Sequence, residues 1–149
     1  MGQRDMIRRA QVGDLPDLIR MAGRFAAVAR PDLPIDDAYL AGSFRSMIAS
    51  GQHLVLVLDV DGRARGVFCA ALSRSPWSPI GVASEQILWI DPSHRGGMAV
   101  LQMLRTYLEW AQAMGCARAY LVALSGRSLD RLYRRAGFAP SEITFEKVL

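Results

Sequence analysis

The spacing of apolar residues changes from alternating to helical near the start of the chain. Residues 6–11 alternate and predict a short strand. Asp14 then offers an N-cap, and Pro16 fits the first turn of a helix, where a missing N–H costs little. The apolar face of this helix is formed by Leu15, Leu18, Ile19, Ala22, Phe25 and Ala26. Pro31 and Pro34 follow and break the helix.

A second helix and then a β-hairpin are expected next. Residues 36–50 place their apolar side chains at helical spacing. Residues 53–60 are rich in Leu and Val, which favour strands, and the run is shorter than a typical helix. It therefore predicts a strand. Asp61-Gly62 is a hairpin turn signal, so residues 65–73 are expected to return antiparallel to the first strand.

The second half of the chain alternates strands with helices. Elements are expected at residues 84–90 (strand), 98–114 (helix), 119–124 (strand), 128–136 (helix) and 143–148 (strand). The inward stripe of the long helix is expected to be Leu101, Leu104, Leu108 and Ala111. Gly51 and Gly115 stand where glycine caps end the second helix and the long helix. This order, without a linker or a repeat, predicts one mixed α/β domain over residues 1–149.

Composition limits the classes of protein that the chain can belong to. Apolar residues make up 51% and charged residues 21%, with no long apolar run, which disfavours disorder and a membrane span. Cys69 and Cys116 are isolated and the two histidines lie far apart, so neither a metal site nor a disulfide framework is expected. The net charge of +4 permits a phosphorylated ligand, an anionic surface or nucleic acid. No signal-like apolar core follows the N-terminus, so we expect a cytoplasmic protein.

The most informative stretch joins the strand at 84–90 to the long helix. Gly96 and Gly97 follow the strand, and the helix begins at once. Glycine lets the backbone approach a ligand closely, and the unpaired N–H groups of a helix N-terminus suit a pyrophosphate. Arg95 is placed to add a charge-assisted contact to phosphate oxygens. A strand-to-helix turn that merely needs glycine fits the same pattern, so the turn alone does not decide the function.

Two separated motifs resemble the GCN5-related N-acetyltransferase (GNAT) superfamily. Residues 89–97, followed by Glu-Trp-Ala at 109–111, are similar to small acetyltransferases of phages and bacteria. The segment Leu-Tyr-Arg-Arg-Ala-Gly-Phe at 132–138 is similar to the closing helix-turn of that superfamily. Because both motifs occur in the correct order, the resemblance covers nearly the whole chain. It implies a single GNAT-like domain with a mixed sheet of about six or seven strands flanked by about four helices.

The turn departs from the family signature, which is Gln or Arg, two residues, Gly, one residue, then Gly or Ala. Counting from Arg95 places Met98 and Val100 at the two small positions. Counting from His94 places Gly97 and Ala99 there, and both registers stay open. The cofactor-binding residues that the resemblance implies are Trp89, Ile90, His94, Arg95, Gly96, Gly97, Met98, Ala99 and Val100.

The resemblance implies transfer of an acetyl group from acetyl-CoA to a primary amine of a small-molecule or peptide acceptor. Main-chain N–H groups near Trp89 and Ile90 would hold the pantetheine arm. Glu85 is the only carboxylate within its strand and is the candidate base, and alternation predicts that Glu85, Ile87 and Trp89 share one face. Tyr133 matches the family's tyrosine before the Gly-Phe turn and is the candidate general acid.

Other interpretations of the same residues stay open. Glu85 also fits a carboxylate that faces solvent, and Tyr133 also fits core packing. The altered glycine positions are compatible with a non-catalytic acyl-CoA-binding relative, and the positive charge with a basic nucleic-acid-binding domain. We favour the enzyme, with no nucleic-acid or membrane partner, and a homodimer is expected because such relatives often pair. The residues expected to line the acceptor site are Trp77, Tyr39 and Phe44.

Overall fold

The computed structural model of the chain describes residues 5–124 and 129–149. The strands are β1 (Asp5–Arg9), β2 (His53–Val60), β3 (Arg63–Arg74), β4 (Gly81–Ile90) and β5 (Cys116–Tyr120). The α-helices are α1 (Leu15–Ala29), α2 (Asp37–Ala49), α3 (Ala99–Ala113) and α4 (Asp130–Arg135). The start of the last helix, predicted at Ser128, lies outside the described residues. The mixed α/β fold is confirmed.

The strands form one sheet in the order β1-β2-β3-β4-β5. The first four pair antiparallel, and β5 joins β4 in parallel because α3 carries the chain back across the sheet. Asp61 and Gly62 both have positive φ, at 52° and 83°, which is the backbone of the tight turn favoured in hairpins. The predicted hairpin is confirmed.

The sheet is covered on both faces. Leu54, Leu56 and Leu58 of β2 point into the core on the side of α3 and α4. Val55 and Val57 alternate with them and point into the core beneath α1 and α2. A strand buried on both faces needs apolar residues at successive positions, which explains the unbroken apolar run from Leu54 to Leu58 within β2.

The inward stripe of α3 differs from the predicted one. Leu104 and Ala111 are buried as predicted, but Leu101 and Leu108 are only half-buried. The stripe is completed by Met103, Tyr107 and Trp110. Both sets recur at helical spacing, and the larger side chains take the face toward the sheet. There the Tyr107 ring lies 4.9 Å from that of Phe68. Burying Tyr107 and Trp110 removes more apolar area from water than burying Leu101 and Leu108 would.

Of the three predicted helix caps, Gly115 is confirmed, Asp14 stands at the N-cap position without capping through its side chain, and Gly51 is wrong. Gly115 ends α3 in the left-handed conformation as predicted, with φ 77°. Ser50, in extended conformation, ends α2, and Gly51 does not have the positive φ of a glycine cap. Asp14 already has helical backbone angles, so its side chain does not cap α1. Its carboxylate instead pairs with Arg8 at 2.8 Å.

The described part of the sheet has five strands rather than six or seven. Residues 143–148, predicted as a strand, adopt no secondary structure, and Phe145 is 91% exposed. The predicted strand at 119–124 is found at Cys116–Tyr120, because β4 and the chain that follows β5 separate beyond Tyr120. A strand requires a neighbour for its backbone hydrogen bonds, and alternation alone does not supply one.

Candidate active site

The strands β4 and β5 pair over a short stretch and then separate. Their pairing joins 81–84 with 116–120 and does not continue from Glu85 onward. On its other edge β4 stays paired with β3 as far as Ile90. The edge of β4 from Glu85 to Ile90 therefore faces a cleft of about 810 Å³. Backbone groups along such an edge are able to bond an extended ligand as a neighbouring strand would.

A β-bulge at Gln86 reverses the side-chain alternation within β4. In the pairing with β3, Ala70 faces Glu85, and the register then shifts so that Gln86 has no residue opposite it. Glu85 consequently lies with Ala70 on the side of α3 and α4, whereas Ile87 and Trp89 belong to the core beneath α1 and α2. The prediction that Glu85, Ile87 and Trp89 share one face is wrong, because an extra residue moves the later side chains to the opposite face.

Glu85 lies at the point where the two strands separate. Its side chain is buried, and its Oε2 accepts a hydrogen bond of 2.8 Å from the main-chain N–H of Val122. Burial raises the pKa of Glu85 to about 7, and the hydrogen bond from the Val122 N–H, which by itself lowers the pKa, offsets only part of this effect. A carboxyl group with a pKa near neutral pH can both take and release a proton there. The alternative interpretation, in which Glu85 faces solvent, is therefore wrong.

Tyr133 reaches the same Val122 from α4. Its hydroxyl donates a hydrogen bond of 3.0 Å to the Val122 carbonyl, and its ring lies 6.4 Å from that of Phe138. Burial, with a smaller contribution from Glu85, raises the pKa of Tyr133, so the phenol stays protonated at neutral pH. The N–H and the carbonyl of one residue thus connect Glu85 and Tyr133 across the cleft.

The turn after β4 presents open backbone at the other end of the cleft. Gly96 has φ 89°, a conformation that favours glycine, and α3 begins at Ala99 without a side-chain cap. A Cβ placed on Gly96 or Gly97 would meet no atom within 4 Å. The first N–H groups of α3 are therefore available to an anionic group in the cleft.

Arg95 folds back onto the end of β4. Its Nε donates a hydrogen bond of 2.7 Å to the Ile90 carbonyl, and its guanidinium lies 4.7 Å from the centre of the Trp89 ring. The main-chain N–H of His94 donates to the Asp91 carbonyl at 2.9 Å. These contacts hold the turn against the strand that precedes it.

Asp91 joins the end of β4 to α1. Its two carboxylate oxygens accept hydrogen bonds of 3.0 and 2.9 Å from the guanidinium of Arg20, and the indole N–H of Trp89 donates to it at 3.0 Å. Burial alone would raise the pKa of Asp91, but the bonds from Arg20 and Trp89 outweigh it and lower the pKa. Sequence reasoning missed this contact because Asp91 marks the end of a strand in the local pattern, and Arg20 lies 71 positions away.

All predicted site residues border one cleft. They are Glu85, Trp89, Ile90, His94, Arg95, Gly96, Gly97, Met98, Ala99, Val100 and Tyr133. The expected acceptor residues do not border it, because Trp77 and Tyr39 are exposed elsewhere and Phe44 is fully buried beneath α1 and α2. The cleft is bordered instead by Phe25, Ala29 and Arg30 at the end of α1, of which the sequence pattern placed only Phe25 on the apolar face of the helix.

Metal-ligating side chains and thiols can also be compared within residues 5–124 and 129–149. These residues contain no group of three His, Cys, Asp or Glu side chains that could hold a metal ion. Burial raises the pKa of the Cys69 thiol to about 12, which makes it a poor nucleophile at neutral pH. None of their helices combines the length and the apolar character that crossing a bilayer requires.

Comparison with protein families gives a clear match. The family described as the acetyltransferase (GNAT) family matches residues 18–138. This range contains the whole cleft, from the end of α1 to Tyr133. A comparison with curated protein sequences gives no significant match.

Solved structures share the fold at low sequence identity. A transcriptional regulator from Bacillus halodurans superposes with a TM-score of 0.83 at 18% identity, covering 98% of this chain and 100% of its own. A predicted acetyltransferase with acetyl-CoA from Clostridium acetobutylicum gives 0.80 at 17%, covering 97% and 96%. Glucosamine-6-phosphate N-acetyltransferase from Arabidopsis thaliana gives 0.78 at 14%, covering 97% and 98%. At these identities the likeness shows the fold alone.

Proposed function

Because the chain belongs to the GNAT acetyltransferase family, we propose that it transfers an acetyl group from acetyl-CoA to a primary amine of a small-molecule or peptide acceptor. The main observation behind the proposal is that Glu85 and Tyr133 both hydrogen-bond to the main chain of Val122. They do so inside a cleft that ends at the N-terminus of α3. Two of the structural neighbours support the same class of reaction. One is the predicted acetyltransferase with acetyl-CoA, and the other is glucosamine-6-phosphate N-acetyltransferase.

The lining of the cleft supports acetyl-CoA as the ligand. Within the described residues, the edge of β4 from Glu85 to Ile90 has no strand partner and offers main-chain groups other than the Ile90 carbonyl, which accepts from Arg95, to the amides of a pantetheine arm. The uncapped start of α3 offers N–H groups and partial positive charge to a pyrophosphate. Arg30, Arg95 and Arg135 also border the cleft and favour an anionic ligand. Bound acetyl-CoA supplies a thioester carbonyl that an amine can attack.

The two buried side chains provide the proton transfers of this reaction. As the amine nitrogen bonds to the carbonyl carbon, its proton passes to Glu85, which is partly ionised near its pKa of about 7. The carbon–sulfur bond breaks, and the departing thiolate takes the proton of Tyr133, whose raised pKa keeps it protonated until then. The Val122 N–H holds the Glu85 carboxyl group in place. After the transfer, proton exchange with solvent restores the Glu85 carboxylate and the Tyr133 phenol.

A non-catalytic acyl-CoA-binding protein is the second candidate. It is favoured by the exposed Met98 and the half-buried Val100, which border the cleft at positions where one register of the family signature has small residues. Such a protein would bind acetyl-CoA tightly and acetylate no amine. Binding and turnover must therefore be measured separately.

Saturating acetyl-CoA should raise the unfolding temperature by several degrees, and Gly97→Glu should abolish the shift. Ligand at a hundredfold excess over its dissociation constant adds about 2.7 kcal/mol of stability, which corresponds to a few degrees in a domain of this size. The glutamate would extend into open space and place negative charge where the pyrophosphate is proposed to lie. Thermal unfolding with acetyl-CoA, CoA and ATP measures this effect.

Gly42→Glu is the matched control for this experiment. Gly42 is exposed on α2, a Cβ added there would also meet no atom within 4 Å, and the residue does not border the cleft. This variant should keep the full shift. If wild-type protein showed no shift with acetyl-CoA or CoA, both the transferase and the acyl-CoA-binding proposals would fail.

Tyr133→Phe should lower kcat by about 10²-fold while changing the KM for acetyl-CoA little. The substitution keeps the buried ring and removes the hydroxyl, which holds the proton that the thiolate is proposed to take and donates the hydrogen bond to the Val122 carbonyl. Release of the CoA thiol over a panel of amines measures the rate. Tyr39→Phe, which alters an exposed tyrosine on α2, should be silent. An unchanged kcat in Tyr133→Phe would show that solvent protonates the leaving group.

A further inference from the structure

Arg30 occupies the point where α1 ends at the cleft. Pro31 follows it, and the residue before a proline avoids helical backbone angles, so the helix stops and Arg30 adopts φ −145° and ψ 66°. Its Nη1 donates a hydrogen bond of 2.6 Å to the carbonyl of Ala29, one of the last carbonyls of α1, which lack a partner within the helix. This bond holds the guanidinium at the border of the cleft.

The other side of this guanidinium lies near a carboxylate of the chain itself. Its Nη2 is 3.6 Å from Oε2 of Glu146, which is longer than a hydrogen bond, and both side chains are exposed. Apart from the Ala29 carbonyl, the guanidinium has no hydrogen-bond acceptor among the described residues. An exposed ion pair of this kind contributes little free energy, so an anionic ligand can replace Glu146.

The charges that border the cleft are mostly positive. Arg30, Arg95 and Arg135 line it, and Glu85 is the only carboxylate among its described lining residues. A ligand with several positive charges would therefore meet three arginines and a single acidic partner. A ligand that combines one amine with a negative group would be attracted at both ends.

The three arginines lie on different faces of the sheet. Arg95 belongs to the turn before α3 and Arg135 ends α4, and both helices cover the face where the pyrophosphate is proposed to bind. Arg30 lies on α1, which covers the opposite face, and Phe25 of the same helix borders the cleft beside it. Arg30 is therefore the arginine on the side from which an acceptor can approach Glu85.

We propose that the acceptor amine also carries an anionic group, a carboxylate or a phosphate, which Arg30 binds while the amine lies at Glu85. A planar guanidinium matches the oxygens of either group with two parallel N–H···O bonds. The anionic group replaces Glu146 at Arg30, and the amine end of the acceptor extends along the cleft. This inference rests on the proposed acetyl transfer and names the class of its acceptor.

The test is the selectivity of the enzyme among amines of matched length. Glycine, γ-aminobutyrate and ε-aminocaproate are each compared with the corresponding amide and with a diamine of similar length, and phosphoethanolamine is compared with ethanolamine to test the phosphate. In at least one of these sets wild type should favour the anionic amine by about tenfold or more in kcat/KM, the effect of charge-assisted hydrogen bonds. Arg30→Gln should lower this preference by about the same factor.

Two further variants show whether the effect belongs to Arg30 and its ion pair. Arg45→Gln, at an exposed arginine of α2 that does not border the cleft, is the matched control and should keep the preference. Glu146→Gln removes the competing carboxylate and should lower the KM for anionic amines by up to about fivefold, the range of an exposed ion pair. A higher KM for them in Glu146→Gln would overturn the proposal, because Glu146 would then bind the acceptor.

The kinetics can overturn the proposal in two other ways. A wild type without a preference for anionic amines would do so, as would a preference that survives Arg30→Gln. A higher KM for acetyl-CoA in Arg30→Gln with every acceptor would also overturn it, since Arg30 would then bind the cofactor.

Binding without turnover separates this proposal from the acetyl transfer itself. Isothermal titration of the CoA-loaded protein with each amine measures affinity when no acetyl group is present. The anionic amines should bind to wild type about tenfold more tightly than to Arg30→Gln. If they bind in this way but are not acetylated, the transferase proposal fails and the anion site at Arg30 stands. If amines are acetylated regardless of charge, the transferase proposal stands and the anion site fails.

Discussion

Replacing Glu85 with Gln should lower kcat by about 10²- to 10⁴-fold, the range for loss of a positioned general base. The amide keeps the size of the carboxylate and can still accept the Val122 N–H, but it cannot take the proton of the amine. The variant should fold normally, because the carboxylate is destabilised by burial once it ionises. Initial rates with acetyl-CoA and a reactive amine measure this effect.

The pH dependence of the rate gives a second, independent measure of Glu85. Only the ionised carboxylate accepts a proton, so the wild-type rate should rise as the pH increases through about 7, the pKa of Glu85. Glu85→Gln should lose this inflection, while Glu109→Gln, on the outer face of α3, should keep both the rate and the inflection. An unchanged profile in Glu85→Gln would mean that another group or water accepts the proton.

Asp91→Ala should lower the free energy of unfolding by about 1–3 kcal/mol, the cost of leaving buried hydrogen-bond donors without an acceptor. Asp91 is only 6% exposed, and the substitution removes the acceptor of two hydrogen bonds from Arg20 and one from Trp89. Because these bonds hold the turn before α3, the KM for acetyl-CoA should rise as well. Urea unfolding and steady-state kinetics measure the two effects.

Two comparisons separate this ion pair from a general loss of packing. The double variant Arg20→Ala/Asp91→Ala should lose less than the sum of the single variants, because the two side chains interact directly. The pKa of Asp91 is lowered in the folded protein, so the stabilisation is present above the ordinary aspartate range and is lost as the pH falls through the folded pKa. The difference between wild type and Asp91→Ala should therefore shrink in acid. Additive losses of unfolding free energy that do not depend on pH would contradict the proposed role. The control Asp32→Ala, in the exposed α1–α2 connection, should leave the free energy of unfolding unchanged.

Much of the candidate site follows from short-range chemistry. The turn with Gly96 and Gly97 is recognisable from the sequence because glycine, a helix N-terminus and a preceding strand are adjacent along the chain. The same holds for the hairpin at Asp61 and Gly62, where positive φ requires particular residues. In these cases the residues that determine the structure and the structure itself occupy the same few positions.

The errors share a different origin. Alternation placed Glu85 on the face of Trp89, but the bulge at Gln86 exists only because β4 pairs with β3 in a shifted register. The stripe of α3 could not be chosen from helical spacing, since two overlapping stripes satisfy it and the sheet selects the one with Tyr107. Each outcome depends on a partner surface that the local pattern does not contain.

By itself the sequence determined the order of elements as far as the last helix, the hairpin and the glycine-containing turn, and it pointed to Glu85 and Tyr133 as candidate proton-transfer residues. Only the tertiary structure decided that Glu85 and Tyr133 both hydrogen-bond to Val122, that Arg20 pairs with Asp91, and that residues 143–148 form no strand. The physical reason is the distance along the chain over which the interactions act. Backbone angles and the periods of helices and strands are set by neighbouring residues. The pKa values, ion pairs and sheet partners depend on groups that folding brings together from distant parts of the chain.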